Sequence, residues 1–177
     1  MSYDELHIRS VIRAVPDWPE PGIVFRDIAP LFLDPKALHM VVDAFTQRYI
    51  DTDITHIAAL DARGFLLGSV LAYTLNKPLI LIRKKGKLPG DTLCQDYQLE
   101  YGTACVEIQK QACTAGDRVL LIDDLIATGG SLLAASTLIK RLGAEIYEAA
   151  AIVDLPFLQG STRLHGAEIP VHCLIAY

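Results

Sequence analysis

Apolar residues along the chain keep two rhythms. Short unbroken runs read as strands buried on both faces, and longer stretches with an apolar residue every third or fourth position read as one-sided helices. Leu6, Val11, Ile12 and Val15 predict an amphipathic helix over 4–15, ended by Pro16. Residues 16–30 hold four prolines, too many for a central strand, and predict an ordered arm or small lobe. Asp34 and Pro35 suit an N-cap and a first helical residue. The helix they open runs to about Tyr49, with Leu38, Val41, Val42, Phe45 and Tyr49 inward. Strands are expected over 55–60, 78–82, 119–122, 146–154 and 171–175, with a hairpin of 92–99 and 104–108 around Glu100, Tyr101 and Gly102. Helices are expected over 65–75, from about 132 to 142 with Gly143 as its cap, and over 157–164. Strands alternating with helices predict one α/β domain over 1–177, with an open, mainly parallel twisted sheet flanked by helices. Residues 1–33 form its N-terminal arm.

Composition narrows the class. With 177 residues and 51% hydrophobic content, the chain can bury a sizeable core. Its net charge of −5 argues against nucleic acid as a partner. No apolar run reaches the ~18 residues of a membrane span, and the polar, acidic start does not read as a signal peptide. Four cysteines, Cys94, Cys105, Cys113 and Cys173, lack CxxC or zinc spacing. They are expected as free thiols in a reducing, cytoplasmic setting.

The chemistry concentrates in 119–131. An apolar strand is followed by two carboxylates, Asp123 and Asp124, then Ala127, Thr128, Gly129, Gly130 and Ser131, and then a helix. A loop that tops a parallel strand and opens a helix presents free N–H groups at the positive end of the helix dipole, and its glycines let an oxyanion approach the backbone. This is a cradle for a phosphate monoester. The aspartates suit two vicinal hydroxyls, a hydrated Mg²⁺, or both. Neither the P-loop nor the dinucleotide pattern is present. Residues 61–64 repeat the strand–loop–helix layout, with Arg63 at its mouth, either pairing a surface carboxylate or binding an anion. Arg83, Lys84, Lys85 and Lys87 make a basic run that is either a solvated loop or a lid for a polyanion. Phe25 is either core packing or a platform for a planar ring.

Residues 119–131 resemble the phosphoribosyl pyrophosphate (PRPP) motif of the type I phosphoribosyltransferases. Four further stretches, 21–28, 60–65, 83–90 and 99–102, are similar in order and spacing to the adenine phosphoribosyltransferase family. The resemblance implies that the enzyme transfers a 5-phosphoribosyl group from PRPP to adenine, giving AMP and pyrophosphate in purine salvage. It implies that Asp123 and Asp124 hold the ribose hydroxyls and that residues 127–131 hold the 5-phosphate. Arg63 is expected to face the pyrophosphate from a loop with a non-proline cis peptide at Asp61–Ala62, and Arg83 and Lys87 to contact PRPP phosphates. Val24, Phe25 and Arg26 are expected in a hood over the base within 1–33, with Phe25 stacked on the purine, and Leu155 beside them. Glu100 is expected on a closing loop as the group that handles the purine proton. Mg²⁺ is implied as cofactor, held mainly through PRPP with Asp123 and Asp124 as further candidate ligands. The family resemblance also implies a homodimer. Two departures stand out: Ser131 replaces a usual threonine, and Pro156 follows Leu155 where relatives carry a non-proline residue.

Overall fold

The computed structural model describes residues 4–98 and 102–177, in two units bounded as Met1–Arg48 and Tyr49–Tyr177. In the first, Asp4 caps helix α1 (Glu5–Val11) by accepting the His7 N–H at 3.0 Å. The helix stops short of residue 15. Ile12 is already extended, and β1 (Arg13–Pro16) pairs antiparallel with β2 (Val24–Asp27). The helix expected over 4–15 is thus corrected. The β-branched Ile12 and Val15 favour the extended backbone. An Arg13–Asp27 ion pair at 2.6 Å closes the ribbon. The arm also contains a short helix, α2 (Ala29–Leu33), not anticipated from its prolines.

Helix α3 (Pro35–Tyr49) follows the sequence pattern closely. Asp34 Oδ1 accepts the N–H groups of Lys36 at 2.9 Å and Ala37 at 3.1 Å. The Ala37 bond leads in holding the Asp34 carboxyl below its usual 3.8. Ala37, Val41, Phe45 and Tyr49 are buried in succession along one face.

The second unit carries the sheet. Its elements are β3 (His56–Leu60), α4 (Gly64–Thr74), β4 (Leu79–Lys84), β5 (Thr92–Gln98), β6 (Thr103–Gln109), β7 (Arg118–Ile122), β8 (Leu125–Ile126), α5 (Gly130–Arg141), β9 (Glu145–Asp154), α6 (Gly160–Gly166) and β10 (Val171–Ala176). Their order is β10-β9-β7-β3-β4-β6-β5, with β8 beside β9. The run from β10 to β4 is parallel, and β6 and β5 append an antiparallel hairpin. The mainly parallel sheet predicted from the alternating pattern is present. Its middle strands carry apolar centres: Ile57 to Ala59, Val119 to Ile122 and Ala149 to Val153 are fully buried. All four cysteines are free. Burial pushes the Cys113 thiol up to about 11 and the Cys173 thiol to about 12.

Two connections decide where a ligand can sit. From β3 the chain crosses through α4 to β4 on one side, and from β7 it crosses through α5 to β9 on the other. Right-handed crossovers in opposite directions put α4 and α5 on opposite faces. Their loops therefore part at the C-terminal ends of β3 and β7 and leave a crevice there.

The chain bends just past β7. The Asp123 N–H still bonds the Ala150 carbonyl at 3.0 Å, and the Asp124 carbonyl accepts from both Ile152 and Val153. Leu125 and Ile126 then rejoin β9 further along, as the unanticipated β8. The single helix expected over 157–164 is also corrected. A 3₁₀ turn (Pro156–Leu158) and α6 are separated by Gln159 at φ 61°, a left-handed residue that a continuous helix cannot contain.

Candidate functional site

A cavity of about 440 Å³ opens at the crevice between β3 and β7. Its wall is made by Asp61, Ala62 and Arg63 after β3, Lys84 at the end of β4, Tyr97 on β5, and Asp123 to Gly129 with Ser131 and Leu132 after β7. Thus Arg63, both aspartates and most of the small-residue loop, which are separate in sequence, meet in one place.

The aspartates differ in setting. Asp124 is buried, and its Oδ2 accepts from Arg63 Nε at 2.6 Å. Arg63 itself is half exposed, so the pair joins a buried anion to a cation at the solvent edge. Asp123 Oδ1 accepts the Asp124 N–H at 2.9 Å. Burial first, and then the neighbouring Asp124 charge, raise the Asp123 carboxyl well above the usual carboxylate range. The peptide Asp61–Ala62 is cis, at the position expected from the resemblance. Next to it, Gly64 starts α4 directly against the strand. A Cβ there would lie 2.9 Å from the Ile122 carbonyl oxygen and 3.1 Å from Asp123 Oδ1.

The small-residue loop is held from outside the cavity. Gly129 takes φ 75° and stands just before α5, with no side chain capping the first turn. The uncapped N–H groups and the positive end of the dipole lie beside the cavity, as anion recognition requires. Gly129 packs backbone to backbone on Gly160: a Cβ on Gly160 would lie 2.2 Å from the Ala127 carbonyl oxygen and 2.8 Å from the Gly129 nitrogen. Arg163 Nη1 donates to the Thr128 carbonyl at 3.3 Å. Gly130 lies outside the cavity wall and faces Tyr97, whose ring is 3.2 Å from where a Cβ would stand.

The basic run divides. Lys84 lines the cavity, whereas Arg83 and Lys87 do not. Arg83 Nε donates to Asp61 Oδ2 at 3.3 Å, and its Nη1 donates to the Lys87 carbonyl at 3.0 Å. Adjacent strand residues point to opposite faces, which is why Arg83 and Lys84 part. Among the expected base contacts, Leu155 is buried and donates its N–H to the Ile126 carbonyl at 3.0 Å, outside the cavity wall. In the first unit, Val24 is exposed, Phe25 packs edge-to-face on Trp18 at 4.4 Å, and Arg26 stands opposite Ala14. Glu100 lies outside the described residues.

Sequence reasoning missed three residues here, Tyr97, Gly160 and Arg163. Lys84 was visible within its charge run, and Tyr97 shares a period-two pattern with Gln95. Gly160 and Arg163 gave no local signal, because their importance arises from packing between α6 and a loop about thirty residues earlier. No group of three or more His, Cys, Asp or Glu that could hold a metal is found among the described residues. Asp123 and Asp124 form a vicinal carboxylate pair in the cavity wall, with Asp61 the third carboxylate there. Chemically, the wall offers backbone amides and cations for anions on two sides, with carboxylates for hydroxyls or a hydrated cation between.

Residues 32–170 match the family model described as phosphoribosyl transferase domain. Over 177 residues the chain is 62% identical to the adenine phosphoribosyltransferase of a Marinomonas species, covering 100% of this chain and 98% of that one. The solved structure of adenine phosphoribosyltransferase from Rhodothermus marinus superposes with a TM-score of 0.90 at 42% identity, covering 98% of each chain. The enzyme from Saccharomyces cerevisiae, complexed with adenine and an imino-altritol bisphosphate, superposes with a TM-score of 0.90 at 37% identity, over 96% of this chain and 97% of that one.

Proposed function

The chain belongs to the phosphoribosyl transferase family, among the adenine phosphoribosyltransferases, and from that membership we propose what each part of the cavity does. The protein is a pentosyltransferase that moves the 5-phosphoribosyl group of PRPP to adenine, giving AMP and pyrophosphate. One observation carries the residue-level reading. Ala127, Thr128, Gly129 and Ser131 of the small-residue loop, the paired aspartates and Arg63 line a single cavity.

The 5-phosphate takes the amides of residues 127–131 with the hydroxyls of Thr128 and Ser131. Asp123 and Asp124 take the ribose 2- and 3-hydroxyls. Fixing the ribose at both ends presents C1 to the base. Arg63 exchanges its Asp124 partner for the pyrophosphate, and the freed carboxylate takes a hydroxyl. Lys84 joins Arg83 and Lys87 around the leaving group, with charge already in place as the C1–oxygen bond loosens. Val24, Phe25 and Arg26 contact adenine, with Phe25 stacking on the ring and Leu155 beside it. Glu100 manages the proton of the purine imidazole edge.

Mg²⁺ belongs to this reading. It commonly takes one or two protein carboxylates and completes its shell with water and phosphate oxygens, which fits the Asp123 and Asp124 pair. When bound it supplies positive charge to the leaving pyrophosphate. We further propose a cytoplasmic homodimer. No described helix is long and apolar enough to cross a membrane. Leu66, Val70 and Tyr73 form an exposed stripe on α4, at the spacing of one helix face, which supports a second copy packing there.

The test is pyrophosphate release from PRPP and Mg²⁺ with adenine, hypoxanthine, guanine or no base. Release with adenine alone is expected, and Phe25→Ala should raise the KM for adenine and leave that for PRPP unchanged. Equal release with a 6-oxopurine would overturn the base-contact assignments.

A further inference from the structure

Glu107 lies in the middle of β6, a position where a charged residue is rare, and is only 3% exposed. Across the ladder it stands directly opposite Arg83 on β4 and Cys94 on β5. Its side chain turns to the loop that joins those two strands. Oε1 accepts the backbone N–H groups of Lys87 and Leu88, each at 2.8 Å. Cys94 Sγ stands 4.0 Å from Oε2. Burial acts to raise its pKa, but the backbone N–H groups facing it from the loop, led by Leu88, outweigh that and hold the carboxyl below its usual 4.5.

Two donors from consecutive loop residues converge on one oxygen of this buried carboxylate. They fix the backbone of residues 87 and 88. From there the path continues without a break: the Lys87 carbonyl accepts Arg83 Nη1, and Arg83 Nε reaches Asp61 Oδ2 on the cavity wall. We propose that Glu107 is a positioning residue for PRPP, acting through this loop to hold the cationic side of the cavity ready for pyrophosphate. The inference rests on the reading above that Arg83, Lys84 and Lys87 serve the pyrophosphate. Glu107 itself touches no substrate.

The test compares Glu107→Gln, which keeps the shape and one acceptor, with Glu107→Ala, and uses Lys87→Ala as a separate arm. The readouts are the Kd of pyrophosphate with Mg²⁺, the KM for PRPP, the KM for adenine and the Kd of AMP. Replacing a charged acceptor by a neutral one should weaken pyrophosphate and PRPP binding about three- to tenfold, and removing it should weaken them more than about tenfold. Adenine and AMP, which lack the pyrophosphate, should bind as before. If AMP and adenine weaken in step with pyrophosphate, Glu107 is a general structural acid and the inference fails. If Lys87→Ala weakens pyrophosphate while both Glu107 variants bind it normally, the inference alone fails. If Lys87→Ala also binds it normally, the loop reading fails and the inference with it. Should Glu107→Ala not fold, Glu107→Gln decides by the same criteria, and unchanged pyrophosphate affinity overturns the proposal.

Discussion

Two glycines on the same short helix should respond in opposite ways to the same methyl group. Gly160 starts α6 and Gly166 ends it. A Cβ on Gly166 would meet nothing within 4 Å, whereas one on Gly160 would lie 2.2 Å from the Ala127 carbonyl oxygen and 2.7 Å from Ile126 Cγ2. Gly166→Ala should be neutral or stabilise by up to ~1 kcal/mol, through a less flexible unfolded chain. Gly160→Ala must push the phosphate loop away, since ordinary contact begins near 3.4 Å. That requires a shift of about 1 Å, and a 1 Å misplacement of a binding group can reduce catalysis about 10²-fold. Overpacking of this kind costs ~1–3 kcal/mol, or roughly 2–12 °C in Tm for a chain of this length. Thermal unfolding with and without PRPP, together with the KM for PRPP, measures both effects. Gly160→Ala should lose PRPP affinity, and PRPP should raise its Tm less than it raises that of the parent. If the two variants match in Tm and in KM for PRPP, the loop is not held by α6 and the reasoning is wrong.

Asp34 caps α3 with a carboxyl held below 3.8, chiefly by the Ala37 N–H. Its contribution is therefore complete above the ordinary Asp range and is lost as the pH falls through the lowered value. Asparagine caps equally well and does not titrate, so Asp34→Asn should flatten the acid limb of Tm against pH; an unaltered limb would contradict the assignment. Asp124→Asn removes the charge facing Arg63 and, in the proposed reading, the charged acceptor for a ribose hydroxyl. Calorimetry should show PRPP binding about ten- to hundredfold weaker, and unchanged affinity would count against the ribose role. Glu100→Gln should lower kcat by about 10²- to 10⁴-fold with PRPP affinity nearly intact; normal turnover would remove Glu100 from the chemistry.

Much of this was legible beforehand where local rules and burial agree. The strand 118–122 and helix α5 follow from an uninterrupted apolar run, then helical spacing, then Lys140, Arg141 and Gly143 at the end. Asp34 announced α3 through its capping chemistry. The rule failed where two periodicities fit one stretch. Leu6, Val11, Ile12 and Val15 suit a helix, yet the chain turns extended at Ile12 and Val15 joins a ribbon, opposite Phe25 ten residues on. The cavity was half visible. Asp123, Asp124, Arg63 and the loop carry their chemistry in their residue types. Glu107 and Gly160 do not, because one acts through backbone N–H groups of another strand connection and the other through the absence of a side chain.

The ion pairs at the cavity edge bear on how the protein should feel salt. Arg63 and Arg83 each already face a carboxylate, Asp124 and Asp61. A polyanion that engages them exchanges one anion for another rather than displacing condensed ions from solution. These arginines therefore add little to the counterion release that makes polyanion binding steep in salt. Affinity for PRPP should decline less with ionic strength than a count of the cations near the cavity suggests. Selectivity shifts as well: a simple anion cannot offer Asp124 a hydroxyl in return for its arginine, whereas a ribose diphosphate can.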